Sequence, residues 1–253
     1  MLTNQTKTVL RKLSQKKYRK EMLAFVIEGK KGVEEALNHA EILMLVIDGT
    51  RREESGISEL VDKAEADGIL VEYAGRKDID EIKTTETFPG ILAVVETVDT
   101  SLEDILESNI ILILDRVSDP GNLGTIIRTA DWFGVTSIIL SEESVDPYNE
   151  KVARSTMGSI FRTQIFQSQG IVRTVERLKN EGYTVSAFDL EGKDIHTAKK
   201  AKKQVLIFGS ESHGLTPELK ALVDTSYVIP GGGETESLNL AISVGISLYQ
   251  LSS

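Results

Sequence analysis

From residue 23 onward, short apolar runs alternate with amphipathic stretches. Residues 24–27, 43–47, 69–71 and 91–95 are apolar runs of strand length, and the stretches near 33–37 and 57–64 carry apolar positions at helical spacing. They predict a small α/β domain ending near Glu96. Residues 97–109 are polar and acidic, with Asp99, Glu103, Asp104 and Glu107, which suits a linker or a short connecting helix. The alternation restarts with apolar runs at 111–114, 137–140, 183–187, 205–208 and 227–229. Helices are predicted over about 121–133, near 171–179 and through Tyr249. The organisation expected is therefore residues 1–97, a linker at 98–109, and residues 110–253.

Strands that are apolar throughout and alternate with helices predict an α/β fold whose C-terminal part is a mostly parallel sheet covered on both faces. Open sheets of this kind bind ligands beyond the carboxyl ends of their strands. The loops after residues 114, 208 and 229 are therefore the places to look for chemistry.

With 253 residues, 40% hydrophobic and 27% charged, the chain has material for a core in each of two domains. No window approaches the roughly 18 consecutive apolar residues of a membrane span. Met1 to Lys7 lacks the apolar core of a signal peptide, so a cytoplasmic location without membrane attachment is expected. The lack of cysteine excludes disulfides, thiolate catalysis and cysteine-ligated metals. His39, His196 and His213 are scattered, and no metal is expected.

A net charge of -10 argues at first against a polyanionic partner. The charge is uneven, however. Residues 1–31 hold nine basic residues (Lys7, Arg11, Lys12, Lys16, Lys17, Arg19, Lys20, Lys30, Lys31) against Glu21 and Glu28, so this stretch is +7 and the remainder -17. A basic footprint on an acidic body suits a nucleic acid, and a solvated helix face is the plainer alternative.

In the first loop, an apolar strand runs through Asp119-Pro120-Gly121 into a helix with Asn122 at or near its cap. Arg128 leans back over Gly124 and Gly121, a bare strip suited to close approach of a phosphate or ribose. The alternative is a surface Arg lying along its helix. The spacing is not the Gly-x-Gly-x-x-Gly of a dinucleotide site, so a nicotinamide enzyme is disfavoured. In the second loop, Gly209 leaves backbone accessible, Glu211 and His213 are polar groups without evident partners, and Thr216-Pro217 reads as an N-cap and first helical residue. In the third, Gly231, Gly232 and Gly233 suggest an anion cradle, but Glu234 and Glu236 disfavour a phosphate and tolerate a positive centre. Ser237 is a natural N-cap for the last helix, which is apolar nearly all round and therefore expected to be buried. A polar Asn239 at its start then needs a specific partner.

Asp119-Pro120-Gly121-Asn122-Leu123-Gly124 with Arg128, Phe208-Gly209-Ser210-Glu211 with Gly214-Leu215, and Ile229-Pro230 with Glu236-Ser237-Leu238-Asn239-Leu240 resemble, in order and spacing, three motifs of one family. It is the TrmH (SpoU) family of RNA 2′-O-ribose methyltransferases in the SPOUT superfamily. Residues 153–162 resemble the segment between the first two motifs. The resemblance covers about 110–250. More loosely, the N-terminal part is similar to the small ribosomal-protein-like substrate-binding domain of many members. Gly231 departs from the bulkier residue that members often carry after the proline.

The resemblance implies a catalytic domain with a deep trefoil knot, a homodimer formed through it, and S-adenosylmethionine held around Ala187, Phe208, Gly209, Ile229 and Leu238. It implies a catalytic set of Asn122, Arg128, Glu211, Ser237 and Asn239. A guanidinium is a poor base, so Arg128 is expected to hold the 2′-oxygen or an adjacent phosphate and to stabilise developing negative charge. An RNA-binding N-terminal domain makes Lys7, Arg11, Lys12, Lys16 and Lys17, with Arg154 of the intervening segment, candidates for RNA contact. The separate domain favours ribosomal RNA. Transfer RNA, methylation conferring antibiotic resistance, and an idle RNA-binding assembly factor are the alternatives.

Overall fold

The computed structural model describes residues 1–83, 87–210 and 213–252. The chain divides into two compact units, Met1–Val98 with Tyr148–Phe161, and Asp99–Pro147 with Arg162–Ser253.

The first unit starts with α1 (Asn4–Leu13), where the Thr3 hydroxyl accepts from the Thr6 amide at 3.1 Å, and α2 (Lys16–Met22). It continues through β1 (Ala24–Glu28), α3 (Lys30–His39), β2 (Ile42–Asp48), α4 (Ser58–Ala66), β3 (Val71–Ala74), α5 (Arg76–Ile82) and β4 (Ile91–Glu96). The sheet order is β1-β4-β2-β3, antiparallel except for the parallel pair β2 and β3. Leu10, Leu13, Val26, Val46, Leu92 and Val94 build its core. The strand expected at 69–71 begins only at Val71, because Gly68, at φ +75°, closes α4. Its amide donates to Glu65 O and that of Ile69 to Ala64 O, which uses up the residues before the strand.

The second unit opens with α6 (Leu102–Ile105), capped by Ser101, then β5 (Ile110–Leu114), α7 (Pro120–Trp132) and β6 (Ser137–Leu140). The chain then contributes α8 (Glu150–Ser155) to the first unit, where α8 packs on β1 and the Phe25 ring meets those of Tyr148 and Phe161 at 4.9 and 6.0 Å. The second unit resumes with β7 (Gln164–Gln167), α9 (Ile171–Asn180), β8 (Thr184–Asp194), β9 (Gln204–Phe208), α10 (Pro217–Lys220), β10 (Thr225–Val228) and α11 (Leu240–Ser252). Six strands in the order β10-β8-β9-β5-β6-β7 pair in parallel throughout. Ile111, Ile113, Ile139, Val185, Val205 and Ile207 from the sheet meet Val175, Leu178 and Leu219 from helices, so the apolar strands are covered as expected. Periodicity misses β7, a four-residue strand whose glutamine ends hide its two apolar residues, and α8, which is too short to show a repeat.

The last helix corrects another expectation. Its apolar surface is not fully buried within the chain. Ile242 (54%), Ile246 (37%) and Tyr249 (68%) are exposed, and Trp132 on neighbouring α7 is 84% exposed.

Candidate active site

At the carboxyl ends of β8, β9 and β10 lies a cavity of about 840 Å³, lined by residues from Phe188–Leu190, Phe208–Ser210, Tyr227–Gly231 and the segment leading into α11. Three local features shape it. On β8, Ala187 pairs with Ser226 but Lys193 pairs with the next residue, Tyr227, so residues 188–192 leave the ladder and bulge towards the cavity. The Phe188 ring stacks on Phe208 with centroids 4.4 Å apart and planes 2° from parallel, making an aromatic wall. Gly209 follows β9 so closely against the returning chain that a Cβ there would lie 2.3 Å from the Gly214 carbonyl carbon. Only glycine fits that crossing.

The loop between Gly209 and Leu215 is pinched at its base by a bridge of Ser210 with Gly214, whose amide donates to Ser210 O at 2.9 Å. The Arg116 guanidinium, from the end of β5, donates to Gly214 O at 2.9 Å and so joins the first loop to the second. Asn239 joins the first loop to the third, its side-chain amide donating to Asn122 Oδ1 at 3.0 Å. The same Asn239 caps α11, its Oδ1 accepting from Ala241 and Ile242 amides at 2.9 and 3.3 Å.

Those bonds correct two cap assignments. Asp119, not Asn122, caps α7, accepting from the Asn122 amide at 2.7 Å. Asn239, not Ser237, caps α11, and Ser237 is among the residues that line the cavity. Gly124 is buried, so the bare strip expected beneath Arg128 is covered there.

Of the residues expected around the cofactor, Phe208, Gly209, Ile229 and Leu238 line the cavity. Ala187 is buried in the ladder between Ile207 and Ser226, one residue before the bulge. Of the catalytic set, Ser237 lines the cavity, Asn122 and Asn239 meet beside it, and Arg128 is exposed on α7 and not among the lining residues. Glu211 lies outside the described residues. His213 lines the cavity and its amide donates to Ser210 Oγ at 3.2 Å.

The basic candidates separate. Lys7 is bound to buried Asp78 at 2.6 Å and to Glu81 at 3.4 Å. This pairing, reinforced by the Gly75 and Leu2 amides, holds the Asp78 carboxyl well below the usual carboxylate range. Arg11 stands 3.9 Å from Glu81 and Lys17 3.7 Å from Glu21. Lys12 and Lys17 flank the Tyr18 ring at 5.4 and 5.7 Å, and Lys16 is exposed. Arg154 is half-buried in the first unit, lining a cavity of about 650 Å³ with Lys30, Lys31 and Met157. Near it, burial and then the Glu28 charge raise the Glu150 carboxyl.

Arg116 is the functional candidate that residue patterns missed, because nothing in the order Leu114-Asp115-Arg116 shows where its guanidinium points. Asp189 on the bulge is also new. Its ion pair with Lys220 at 2.8 Å holds its carboxyl below the ordinary value.

The cavity fits S-adenosylmethionine. Its volume is in the range of about 300–1,000 Å³ usual for small-molecule sites. The stacked phenylalanines and the side chains of Ile229 and Leu238 offer apolar walls, and Glu236 suits a cation better than a phosphate, while Asp189 is balanced by Lys220.

Comparison with known proteins gives the class. The SpoU rRNA Methylase family model matches residues 109–249, and the MRM3-like substrate binding domain model matches residues 4–93. This chain belongs to the SpoU rRNA methylase family and is an RNA methyltransferase. It is 32% identical over 244 residues to the 23S rRNA (guanosine(2553)-2′-O)-methyltransferase RlmP of Bacillus subtilis, covering 95% of this chain and 93% of that protein. The AdoMet-bound rRNA methyltransferase from Sinorhizobium meliloti superposes with a TM-score of 0.85 at 36% identity, over 99% of this chain and 95% of that one. The A. aeolicus TrmH/SpoU tRNA modifying enzyme matches 60% of this chain and 80% of its own, with a TM-score of 0.51 at 26% identity.

Proposed function

We propose that this chain transfers a methyl group from S-adenosylmethionine to a ribose 2′-oxygen in structured ribosomal RNA, in the cytoplasm. The observation that carries the proposal is the cavity at the strand ends with Ser237 on its wall and the Asn122–Asn239 pair beside it. Ribosomal RNA is favoured over transfer RNA because the likeness to RlmP and to the Sinorhizobium enzyme includes the small N-terminal domain, whereas the tRNA-modifying neighbour matches a much smaller share of the chain.

When bound, S-adenosylmethionine supplies a methyl group on a cationic sulfur. Phe208, Gly209, Ile229 and Leu238 hold it, and Phe188 extends the wall. Asn122, Ser237 and Asn239 orient the ribose through hydrogen bonds, and Glu211 acts with them. Arg128 holds the 2′-oxygen or the neighbouring phosphate and stabilises the negative charge that develops on that oxygen as the hydroxyl proton passes to water. Residues 1–97 present the RNA, with Lys12, Lys16 and Lys17, assisted by Arg11, as the phosphate-facing set. The pairing of Lys7 with Asp78 gives it a second, structural role.

We infer a homodimer through the exposed apolar face of α7 and α11, which would bring a second copy against Trp132, Ile242 and Tyr249. A dimeric sedimentation coefficient for Ile242→Glu would exclude it. The sequence motifs imply a knotted catalytic domain, and the proposal includes it. An experimental backbone trace that pulls straight from both ends would remove it.

The central test maps 2′-O-methylation in RNA from cells with and without the gene, alongside titration of the purified chain with S-adenosylmethionine. The expected result is saturable binding and loss of one methylated ribose in ribosomal RNA. Binding with loss from transfer RNA instead would redirect the substrate, and no binding would favour an idle RNA-binding factor.

A further inference from the structure

We propose that Arg116 is a positioning residue that latches Gly214 and, with it, the Ser210–Gly214 bridge at the base of the second loop. This rests on the methyltransferase reading for its effect on turnover, but not for its effect on the loop. Arg116 stands at the end of β5, immediately after buried Asp115, with φ at +57°. A non-glycine residue in the left-handed region is strained and persists where its surroundings impose it. Here the constraint is visible, for the Arg116 amide donates to Ser141 Oγ at 2.7 Å and its Nε to the Asp115 carboxylate at 3.2 Å. The conformation aims Nη2 across the neighbouring strand to Gly214 O, 2.9 Å away and 98 residues on in the chain.

The target of this bond matters. Gly214 also closes the Ser210 bridge, and its main chain packs against Gly209, so one carbonyl sits at the base of the whole loop. In sequence the loop carries Glu211 of the expected catalytic set, and Gly209, Ser210 and His213 line the cavity. A carbonyl held by a charged donor that is itself fixed by a buried carboxylate is restrained more tightly than one bonded to water. Loss of the latch therefore loosens the loop without removing any group that touches cofactor or RNA. Lysine keeps a charge and a donor but cannot span Asp115 and Gly214 with one planar fork.

The test compares wild type, Arg116→Ala and Arg116→Lys by hydrogen exchange, calorimetric titration with S-adenosylmethionine, and steady-state methylation of RNA. In Arg116→Ala, amides of residues 209–215 should exchange faster while those of β5 and β6 stay protected. Cofactor Kd should rise and kcat fall by about tenfold each, with KM for RNA within about twofold. Arg116→Lys should recover part of both losses. Should the alanine variant prove too unstable to purify, the lysine variant alone carries the test, through faster local loop exchange and a Kd above the wild-type value. Wild-type loop exchange and cofactor affinity in Arg116→Ala would overturn the proposal. So would exchange that accelerates across the whole unit with no recovery by lysine. If the wild type binds no S-adenosylmethionine while its loop still loosens on substitution, the methyltransferase reading fails and the latch stands.

Discussion

In the first unit, Lys7 reaches from α1 to a buried aspartate on α5, and that carboxylate also accepts from the amides of Leu2 and Gly75. In the second, two of the three joins in the candidate site involve main chain and the third links two side-chain amides. Gly209 packs on Gly214, Arg116 holds a carbonyl, and Asn239 caps a helix while touching Asn122. The difference bears on how each kind of residue can be read. A lysine has a long stem and a charge that any nearby carboxylate can engage, so its residue type says little about its partner. A glycine at a crossing with no space for a Cβ has one physical reason to be there. Sterically forced positions therefore point to the site more sharply than charged ones do.

The largest effect that bears on this contrast is expected at the crossing. Gly209→Ala places a methyl group 2.3 Å from main-chain carbon. It should cost about 100-fold or more in S-adenosylmethionine affinity as the loop is displaced. Calorimetry on the folded variant checks this, and near-wild-type binding would show that the crossing relaxes cheaply.

A smaller effect is expected on the basic face. Replacing Lys12, Lys16 and Lys17 by alanine should reduce the slope of log affinity for RNA against log salt by about two to three, at about 0.7–0.9 for each phosphate no longer neutralised. Lys7→Ala should change that slope less, because Lys7 already has carboxylate partners. Equal slopes for the two variants would erase the distinction drawn between paired and solvent-facing lysines.

The smallest effect concerns stability. The Asp78 carboxyl is held below its ordinary value by Lys7 first and by two backbone amides after it. A carboxyl depressed in the folded state contributes stability above its unfolded pKa and loses it as pH falls through the folded value. Asp78→Asn should therefore lower Tm by a few degrees at neutral pH, with the gap closing only below the usual carboxylate range. A gap independent of pH would assign the effect to packing and not to charge.

Much of the site was legible because its local demands leave marks in residue order. Thr216-Pro217 opens α10 as expected, with the Thr216 hydroxyl accepting from Leu219 at 3.3 Å. Two of the three loops were found at strand ends because the buried strands β5 and β9 are apolar throughout, while the third follows β10, a half-buried edge strand. The caps at Asp119 and Asn239 were displaced by two or three residues, since several neighbouring polar side chains compete for the same free amides and only the turn geometry selects one. The bulge on β8 left no mark, because a five-residue excursion between paired positions is a property of two strands together.

The order of residues alone determined the parallel C-terminal sheet, the three loops and the uneven charge, all of which follow from period, steric need and composition within short stretches, whereas the antiparallel pairing in the first unit's sheet left no such mark. Tertiary structure decided which of these groups meet. Asn122 and Asn239 are 117 residues apart and Arg116 and Gly214 are 98 apart, so their bonds depend on the register of a parallel sheet. Likewise, residues 148–161 lie between strands of the second unit yet pack with the first, where Phe25 receives the rings of Tyr148 and Phe161. Local patterns cannot specify such pairings, because the free energy that selects them comes from burying surfaces distant in the chain.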